Sequence, residues 1–275
     1  MSQALQVGPL VVPFSLLVVL AAVAAALLVG NRAGRRSGLD IEARVWQALM
    51  VGLVVARLVF VWQYRSQYLV EPLDILDVRD GGWSTWGGFA GAWLYVLGLQ
   101  LWRRVPATPL YAALATATVV WLTGTAALTA HRDAAPRLPD MTLGRLEGGQ
   151  ASLAGFVGKP TVVNLWATWC PPCVREMPML QRAQLDNPAV SFVFVNNREP
   201  AQVVSAWLAT QRLPLRNVLL DSSGSAAAHF NQRGLPSTLF FDADGRLVST
   251  RMGELSLATV TRELRGLKPA VATDP

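Results

Sequence analysis

Cysteine, histidine and charged side chains are all scarce in this sequence. The 275 residues include only two cysteines and two histidines, and 15% of them are charged while 52% are hydrophobic. So little charge is unusual for a soluble globular protein and favours membrane-spanning segments. The net charge of +6 is divided evenly between residues 1–130 and 131–275, without a run of basic residues. Nucleic-acid binding therefore has little support.

The scarcity of ligands also argues against a metal site. A structural zinc site needs four Cys or His ligands, but this chain has a single cysteine pair, and His131 and His229 lack ligand spacing. We therefore expect no metal and no cofactor beyond a redox-active disulfide.

The cysteine pair has a sequence context that favours redox chemistry. Cys170 and Cys173 are separated by Pro171 and Pro172, and they follow the apolar run Val162–Trp166, which predicts a buried strand. A helix pattern begins after them. At a helix N-terminus the dipole favours a thiolate, so Cys170 is predicted to attack and Cys173 to resolve the mixed disulfide. A purely structural disulfide is the alternative, but so short a loop would stabilise the fold weakly.

The segment WATWCPPCVREMP around the two cysteines resembles the active site of thioredoxin-fold proteins, specifically the membrane-anchored TlpA/ResA/DsbE group of thiol–disulfide reductases. Three further matches are Pro178, the loop Gly234–Thr238 and the pair Lys159-Pro160. The resemblance covers about residues 138–267. It implies an α/β thioredoxin-like domain with an added N-terminal hairpin.

The resemblance also implies roles for residues around the cysteines. Pro236 is expected to be cis and to place a backbone edge beside Cys170, with Leu235 contacting the substrate. Asn164 stands where thioredoxin has a buried aspartate, and an amide cannot accept a proton. Glu176 matches a glutamate near the active site of the group, although it could also be an exposed helix carboxylate. The residues predicted to modulate the site are Trp169, Pro171, Pro172, Glu176 and Pro236.

Residues 1–130 contain four apolar stretches of about membrane-spanning length. They are Leu10–Val29, Val45–Trp62, Trp86–Trp102 and Pro109–Ala130. No Lys or Arg precedes the first one, which favours a retained span over a signal peptide. Positive charge is concentrated in the loop 31–44, whereas the loop 63–85 is rich in acids. The positive-inside rule then places both termini outside, in the periplasm, with four spans in the bacterial inner membrane.

The expected fold is therefore multi-domain, with an all-α four-span transmembrane module followed by an α/β thioredoxin-like domain. We predict the module at residues 1–130, a linker at 131–137 and the periplasmic domain at 138–275. Five glycines are expected to permit close helix approach: Gly52, Gly87, Gly88, Gly91 and Gly98. Four acids of the loop 63–85 could attract a metal but more often form a solvated face: Glu71, Asp74, Asp77 and Asp80.

The membrane half resembles a different family. Val55–Ala92 and the opening VGPLVVPFSLLV are similar to prolipoprotein diacylglyceryl transferase, over roughly residues 5–100. Trp86 stands where that family has the histidine of its H-G-G motif, and a tryptophan ring cannot shuttle a proton. This departure predicts a degenerate, inactive module. Arg57 lies well inside a span and either binds a lipid phosphate or acidic partner, or extends along the helix to the interface.

These features together predict a membrane-anchored periplasmic thiol–disulfide oxidoreductase, with reduction the favoured direction. Its partners would be protein thiol or disulfide clients and membrane lipids. Residues 1–130 lack cysteine, so the disulfide would be reduced by a separate membrane thiol reductant of the DsbD type. The alternatives are a thiol oxidase, a diacylglyceryl transferase activity of the membrane half, and a non-catalytic lipid- or partner-binding anchor.

Overall fold

A computed structural model describes residues 4–7, 10–35, 40–69, 75–76, 80–103, 107–130, 136–232 and 234–267. The chain forms two compact units. Unit 1 consists of Met1–Arg65 and Trp83–Ala134, and unit 2 of Ser66–Gly82 and Ala135–Pro275. Unit 2 therefore takes in a segment that precedes the last helices of unit 1 in the chain.

Unit 1 is mainly helical. It contains the strands β1 (Ala4–Val7) and β2 (Leu10–Pro13) and the helices α1 (Phe14–Gly34), α2 (Ile41–Gln63), α4 (Thr85–Arg103) and α5 (Thr108–Ala130), with a short helix α3 (Arg65–Tyr68) at its border. The strands β1 and β2 pair as an antiparallel hairpin. The expectation of an all-α module with a first helix at Leu10–Val29 was wrong in this detail, because an apolar run alone does not distinguish a strand from a helix.

Three helical segments of unit 1 are long and apolar enough to cross a membrane: Leu16–Gly34, Ile41–Gln63 and Thr108–Ala130. The remaining predicted span, Trp86–Trp102, does form a helix, α4, but this helix is not among those that are long and apolar enough to be candidate spans. Its glycines, tryptophans and Gln100 lower its hydropathy relative to the neighbouring helices. The described residues thus confirm a helical module with three candidate spans.

Glycines allow α2 and α4 to pack closely. A β-carbon at Gly52 of α2 would lie 2.9 Å from the carbonyl oxygen of Gly88, and one at Gly91 of α4 would lie 2.7 Å from Cβ of Val55. Both distances are shorter than real contacts allow. A β-carbon at Gly98 would meet nothing within 4 Å, so the prediction of close approach is wrong at this position.

This difference between two glycines of α4 predicts opposite effects of the same substitution. Gly91→Ala should destabilise unit 1 by about 1–3 kcal/mol, because the added methyl group forces α2 and α4 apart. Gly98→Ala should be neutral or stabilising by up to about 1 kcal/mol, because alanine favours the helix and meets no neighbour. Thermal unfolding of the full chain in detergent micelles measures both. Equal destabilisation by the two substitutions would contradict this account of the packing.

Unit 2 is built on a seven-stranded mixed sheet. Its strands are β3 (Thr142–Arg145), β4 (Gln150–Ser152), β5 (Thr161–Trp166), β6 (Ser191–Asn197), β7 (Val218–Asp221), β8 (Ser237–Phe241) and β9 (Leu247–Met252), in the spatial order β4-β3-β7-β6-β5-β8-β9. The strands β5, β6 and β7 are parallel, and the outer strands are antiparallel to their neighbours. The predicted thioredoxin-like domain with an added hairpin, β3–β4, is confirmed.

The helices of unit 2 cover the sheet. They are α6 (Pro171–Asp186), α7 (Ala201–Gln211), α8 (Ser225–His229) and α9 (Leu257–Gly266). Successive side chains of a strand point to opposite faces. In β5, Val163 and Leu165 pack with the cluster that includes Ala226 of α8, while Val162 and Trp166 pack with the cluster that includes both cysteines. This alternation places Asn164 on the face towards α6.

Several residues used in the sequence predictions lie outside the described residues. They are Arg36 of the loop 31–44, the acids Glu71, Asp74 and Asp77, and residues 131–135 of the expected linker. Asp80 is described, and its side chain is buried, with 5% of its surface exposed. The interpretation of the acidic loop as a solvated face is therefore wrong for Asp80.

Candidate redox site

The site is centred on the N-terminus of α6, where Cys170 and Cys173 form a disulfide with a Cα–Cα distance of 5.2 Å. Cys170 is the N-cap residue, and its Sγ accepts a hydrogen bond from the backbone N–H of Cys173 at 3.3 Å. Pro171 and Pro172 occupy the first helical positions and carry no N–H. The amide of Cys173 is thus the first donor that this helix offers to the Cys170 sulfur.

The two cysteines differ little in exposure but much in their neighbours. Cys170 is 4% exposed and Cys173 is fully buried, so both residues are largely enclosed although Cys170 lies at the helix N-terminus. Trp169, immediately before Cys170, is 65% exposed, and Pro171 is also exposed. A reaction partner would therefore approach across Trp169 and Pro171, on the Cys170 side.

A buried carboxyl group lies one turn further along α6. Cys173, Glu176, Met177 and Leu180 are all buried, at the spacing of one helix face. The Glu176 carboxyl accepts hydrogen bonds from Nδ2 of Asn164 at 2.9 Å, through Oε1, and from the backbone N–H of Leu255 at 3.2 Å, through Oε2. The interpretation of Glu176 as an exposed helix carboxylate is wrong.

The environment of Glu176 changes its acidity. Burial raises the pKa of Glu176 to about 8, and the negative charge of Glu254 acts in the same direction, while the hydrogen bonds from Asn164 and Leu255 partly oppose the rise. A carboxyl group with a pKa near neutrality can both hold and accept a proton under physiological conditions. The helical spacing of Glu176 after Cys173 was the sequence signal for its burial.

Asn164 links this carboxyl group to the neighbouring strand. Its Nδ2 also donates to Oγ1 of Thr238 in β8 at 3.0 Å. Within the described part of the chain, its buried Oδ1 has no hydrogen-bond partner. An amide cannot take up a proton, so the ionisable group one helical turn from Cys173 on this face is Glu176 rather than Asn164 of β5.

Glu199, which is not among the predicted site residues, holds the loop before Cys170. Its carboxylate accepts hydrogen bonds from the backbone N–H and the hydroxyl of Thr168, and from Nδ2 of Asn196 at the end of β6. These contacts tie the segment Ala167–Trp169 to the sheet. No local pattern indicates this role, because Glu199 lies 31 residues after Thr168 in a loop without a recognisable motif.

The predicted substrate-contacting residues also lie in unit 2. The Leu235–Pro236 peptide bond is cis, as expected. Leu235 is half-buried and packs against the cluster that contains Cys170 and Cys173, and Pro236 is buried. Substrate contact by these residues stays a prediction.

Arg57 is not part of this site. It belongs to unit 1, where its side chain in α2 is buried with 8% exposed. This burial favours an inward-facing guanidinium over one that extends along the helix to the interface, and lipid binding stays a prediction. Among the described residues, no group of three or more His, Cys, Asp or Glu side chains could hold a metal ion.

Comparison with known proteins shows where unit 2 belongs. The family model described as Redoxin matches residues 133–263. The thioredoxin-like protein YneN of Bacillus subtilis is 32% identical over 130 residues, which are 46% of this chain and 75% of YneN. The chain belongs to the redoxin family. The thiol–disulfide oxidoreductase ResA of Geobacillus kaustophilus is 29% identical to the redoxin domain over 133 residues, covering 48% of this chain and 76% of ResA.

A solved structure, that of a secreted Mycobacterium tuberculosis disulfide oxidoreductase homologous to E. coli DsbE, is also similar to the redoxin domain. It is 28% identical with a TM-score of 0.42, covering 46% of this chain and 96% of that protein. In unit 1, the family model of prolipoprotein diacylglyceryl transferase matches residues 2–127. The two predicted resemblances, joined in one chain, are confirmed.

The raised pKa of Glu176 predicts that stability falls as pH rises. The folded state holds this proton up to about pH 8, whereas an unfolded glutamate loses it near its ordinary pKa of 4.5. The stabilisation is therefore complete below about pH 4.5 and is lost as pH rises through 8, by at most about 1.4 kcal/mol per pH unit.

Glu176→Gln should flatten this dependence of stability on pH, since glutamine does not titrate. Thermal unfolding of the oxidised full chain between pH 5 and 8.5 measures it, with exposed Glu147→Gln as the control. A wild-type slope that persists in Glu176→Gln would contradict the assignment.

Proposed function

We propose that the redoxin domain is a membrane-anchored thiol–disulfide oxidoreductase acting through Cys170 and Cys173. The Cys170 thiolate attacks a client disulfide and releases one client thiolate. Cys173 then attacks the Cys170 sulfur, which frees the second client thiolate and closes the Cys170–Cys173 disulfide. The observation that carries this proposal is the cysteine pair at the N-terminus of α6 with the ionisable Glu176 one turn behind it.

Glu176 is the proton acceptor for the resolving step in this proposal. Cys173 is fully buried and must lose its proton before it can attack. With its pKa raised to about 8, the carboxyl group takes that proton in its ionised form, which becomes more populated as pH rises towards 8, and returns the proton in the reverse reaction. Asn164 and Leu255 fix both oxygens of the carboxyl group, so its orientation is set by contacts from outside α6.

Reduction is the direction we favour. A helix N-terminus stabilises a thiolate largely through its free N–H groups, and strong thiolate stabilisation makes a disulfide oxidising. Pro171 and Pro172 remove two of these donors and leave the amide of Cys173. The thiolate of Cys170 is thereby less stabilised than in a helix without these prolines, which favours the disulfide form and hence a reducing dithiol.

Protein thiols or disulfides are the proposed clients. Trp169 and Leu235 offer apolar surface beside the disulfide, and an extended client segment would contact the backbone edge at Pro236. Residues 1–130 contain no cysteine, so unit 1 cannot supply electrons by thiol exchange. A separate membrane thiol reductant, of the kind that DsbD represents, is therefore the proposed source of electrons.

A contact within unit 2 supports four spans with both termini on the same side of the membrane. Oδ2 of Asp80, which precedes α4, accepts a hydrogen bond from the hydroxyl of Ser256, which follows α5, at 2.9 Å. Residues in contact lie on one side of a membrane, so the chain between them crosses an even number of times. If α5 crosses, as its hydropathy indicates, α4 must cross as well. The arginines of loop 31–44 then favour the periplasm for the redoxin domain of this inner-membrane protein.

The membrane half is proposed as an anchor without transferase activity. Its family match spans residues 2–127, but these residues include no histidine, and Trp86 stands at the position of the H-G-G histidine. An indole cannot exchange a proton at physiological pH. Buried Arg57 could still bind a lipid phosphate, and this anchor function does not require chemistry in unit 1.

The first test of the function is covalent trapping. In Cys173→Ser, the Cys170 mixed disulfide with a client cannot be resolved, so we expect disulfide-linked complexes that disappear on reduction. Cys170→Ser removes the attacking thiolate and should trap at most a few per cent as much, because thiol attack governs complex formation. Non-reducing electrophoresis of membranes measures both variants. If Cys170→Ser forms as much of these complexes as Cys173→Ser does, Cys170 is not the attacking residue.

The direction is tested by the thiol state of the pair in cells. A reductase should be mainly reduced where a DsbD-type transporter is present and mainly oxidised where it is deleted, because the membrane half lacks thiols. Acid quenching followed by alkylation of free thiols measures the two states. A pair that stays oxidised in both strains would contradict reduction and favour a thiol oxidase.

A further inference from the structure

The segment Asp80–Gly81 forms a hydrogen-bonded lock on the start of α9, entirely within unit 2. Oδ2 of Asp80 accepts from the hydroxyl of Ser256 at 2.9 Å, and its backbone oxygen accepts from the hydroxyl of Thr259 at 2.7 Å. Nη1 of Arg262 donates to the backbone oxygen of Gly81 at 3.1 Å. Asp80, Ser256 and Thr259 are all buried. This lock joins positions about 180 residues apart in the chain.

The lock begins directly after the residue that contacts Glu176. Leu255, whose backbone N–H donates to the Glu176 carboxyl, immediately precedes Ser256. Ser256 is the N-cap of α9, and its hydroxyl oxygen accepts from the N–H of Thr259. The position of Leu255 therefore depends on how firmly Ser256 is held, and Asp80 contacts that hydroxyl.

We propose that Asp80 is a positioning residue for the redox reaction: through Ser256 and Thr259 it holds Leu255 against the Glu176 carboxyl group behind Cys173. This proposal rests on the proposed function, because Asp80 can affect the reaction in this way only if Glu176 accepts the proton of Cys173. Loosening the lock lets the Leu255 segment move and admits water to Glu176. Since burial is the largest cause of the raised pKa of Glu176, water entry lowers that pKa.

Few other charged groups lie near Glu176 in the described structure. Glu254, next to Leu255, raises the pKa of Glu176, and it forms an ion pair with Arg175 of α6 at 2.6 Å. That ion pair joins α6 to the residue before Leu255 and is partly exposed to solvent. Among the described residues of α6 and its N-cap, Cys170 and Cys173 are the other titratable groups at this end of the helix. None of these groups takes part in the hydrogen bonds that form the lock.

The experiment follows the resolving step in the reduced full chain in detergent micelles, with dithiobis-nitrobenzoate as the probe. Cys170 attacks the probe disulfide and releases one thionitrobenzoate. Cys173 then attacks the Cys170 sulfur, gives its proton to Glu176 and releases the second thionitrobenzoate. The pH dependence of this second release should show an inflection near 8 in the wild type, which Glu176→Gln moves to higher pH.

Two variants test the lock, each with a matched control. Asp80→Ala and Thr259→Val should both move the inflection to lower pH, by on the order of one unit. Asp244→Ala, at an exposed carboxylate, and Thr261→Val, two residues further along α9, should leave it unchanged. Thr259→Val keeps the side-chain shape, so it decides the outcome if Asp80→Ala does not fold.

The outcomes separate this proposal from the proposed function. If Glu176→Gln leaves the profile unchanged, the role of Glu176 as proton acceptor is wrong whatever the lock does. If Glu176→Gln moves the inflection while Asp80→Ala and Thr259→Val match their controls, the role of Glu176 stands and the positioning role of Asp80 is overturned.

Discussion

The redox site depends on the burial of a single carboxyl group, that of Glu176. Burying an ionisable group is costly unless it is neutral or well hydrogen-bonded, and Glu176 receives donors from two other parts of the chain, Asn164 in β5 and the backbone of Leu255 before α9. The helix that carries both cysteines is thereby tied to the sheet and to the C-terminal helix. The contacts that orient this carboxyl group are also contacts that hold the domain together.

Two neighbouring positions near the N-terminus of α6 have different parts in the proposed reaction. At the N-terminus, Pro171 and Pro172 limit the donors available to the Cys170 sulfur, while Glu199, in the loop after β6, fixes the loop before Cys170. One turn inside, the low-dielectric surroundings of Glu176 keep its carboxyl group protonated to an unusually high pH. Environment rather than residue type distinguishes the attacking sulfur from the resolving one.

The two units differ in composition and in the part they have in the proposed function. Unit 1 is an apolar helical module whose close packing rests on glycines such as Gly52 and Gly91, and its sequence is similar to a transferase family without that family's histidine. Unit 2 holds both cysteines and all the proposed chemistry. The segment Ser66–Gly82 is the exception to a simple division by sequence, because it precedes α4 and α5 yet belongs to unit 2.

Local patterns in the sequence determined that the cysteine pair lies at a strand-to-helix turn, because apolar periodicity and helix-start signals act over a few residues. The thioredoxin-like fold followed from the resemblance of the segment around the cysteines to a known family. The same patterns misjudged Leu10–Pro13, where an apolar run fits a strand as well as a helix. Only the tertiary structure decided that Asp80 is buried against Ser256, that Glu199 holds Thr168 and that Gly98 meets no neighbour. Those facts depend on contacts between residues far apart in the chain, and the partner of a long-range contact leaves no signal in the sequence around either residue.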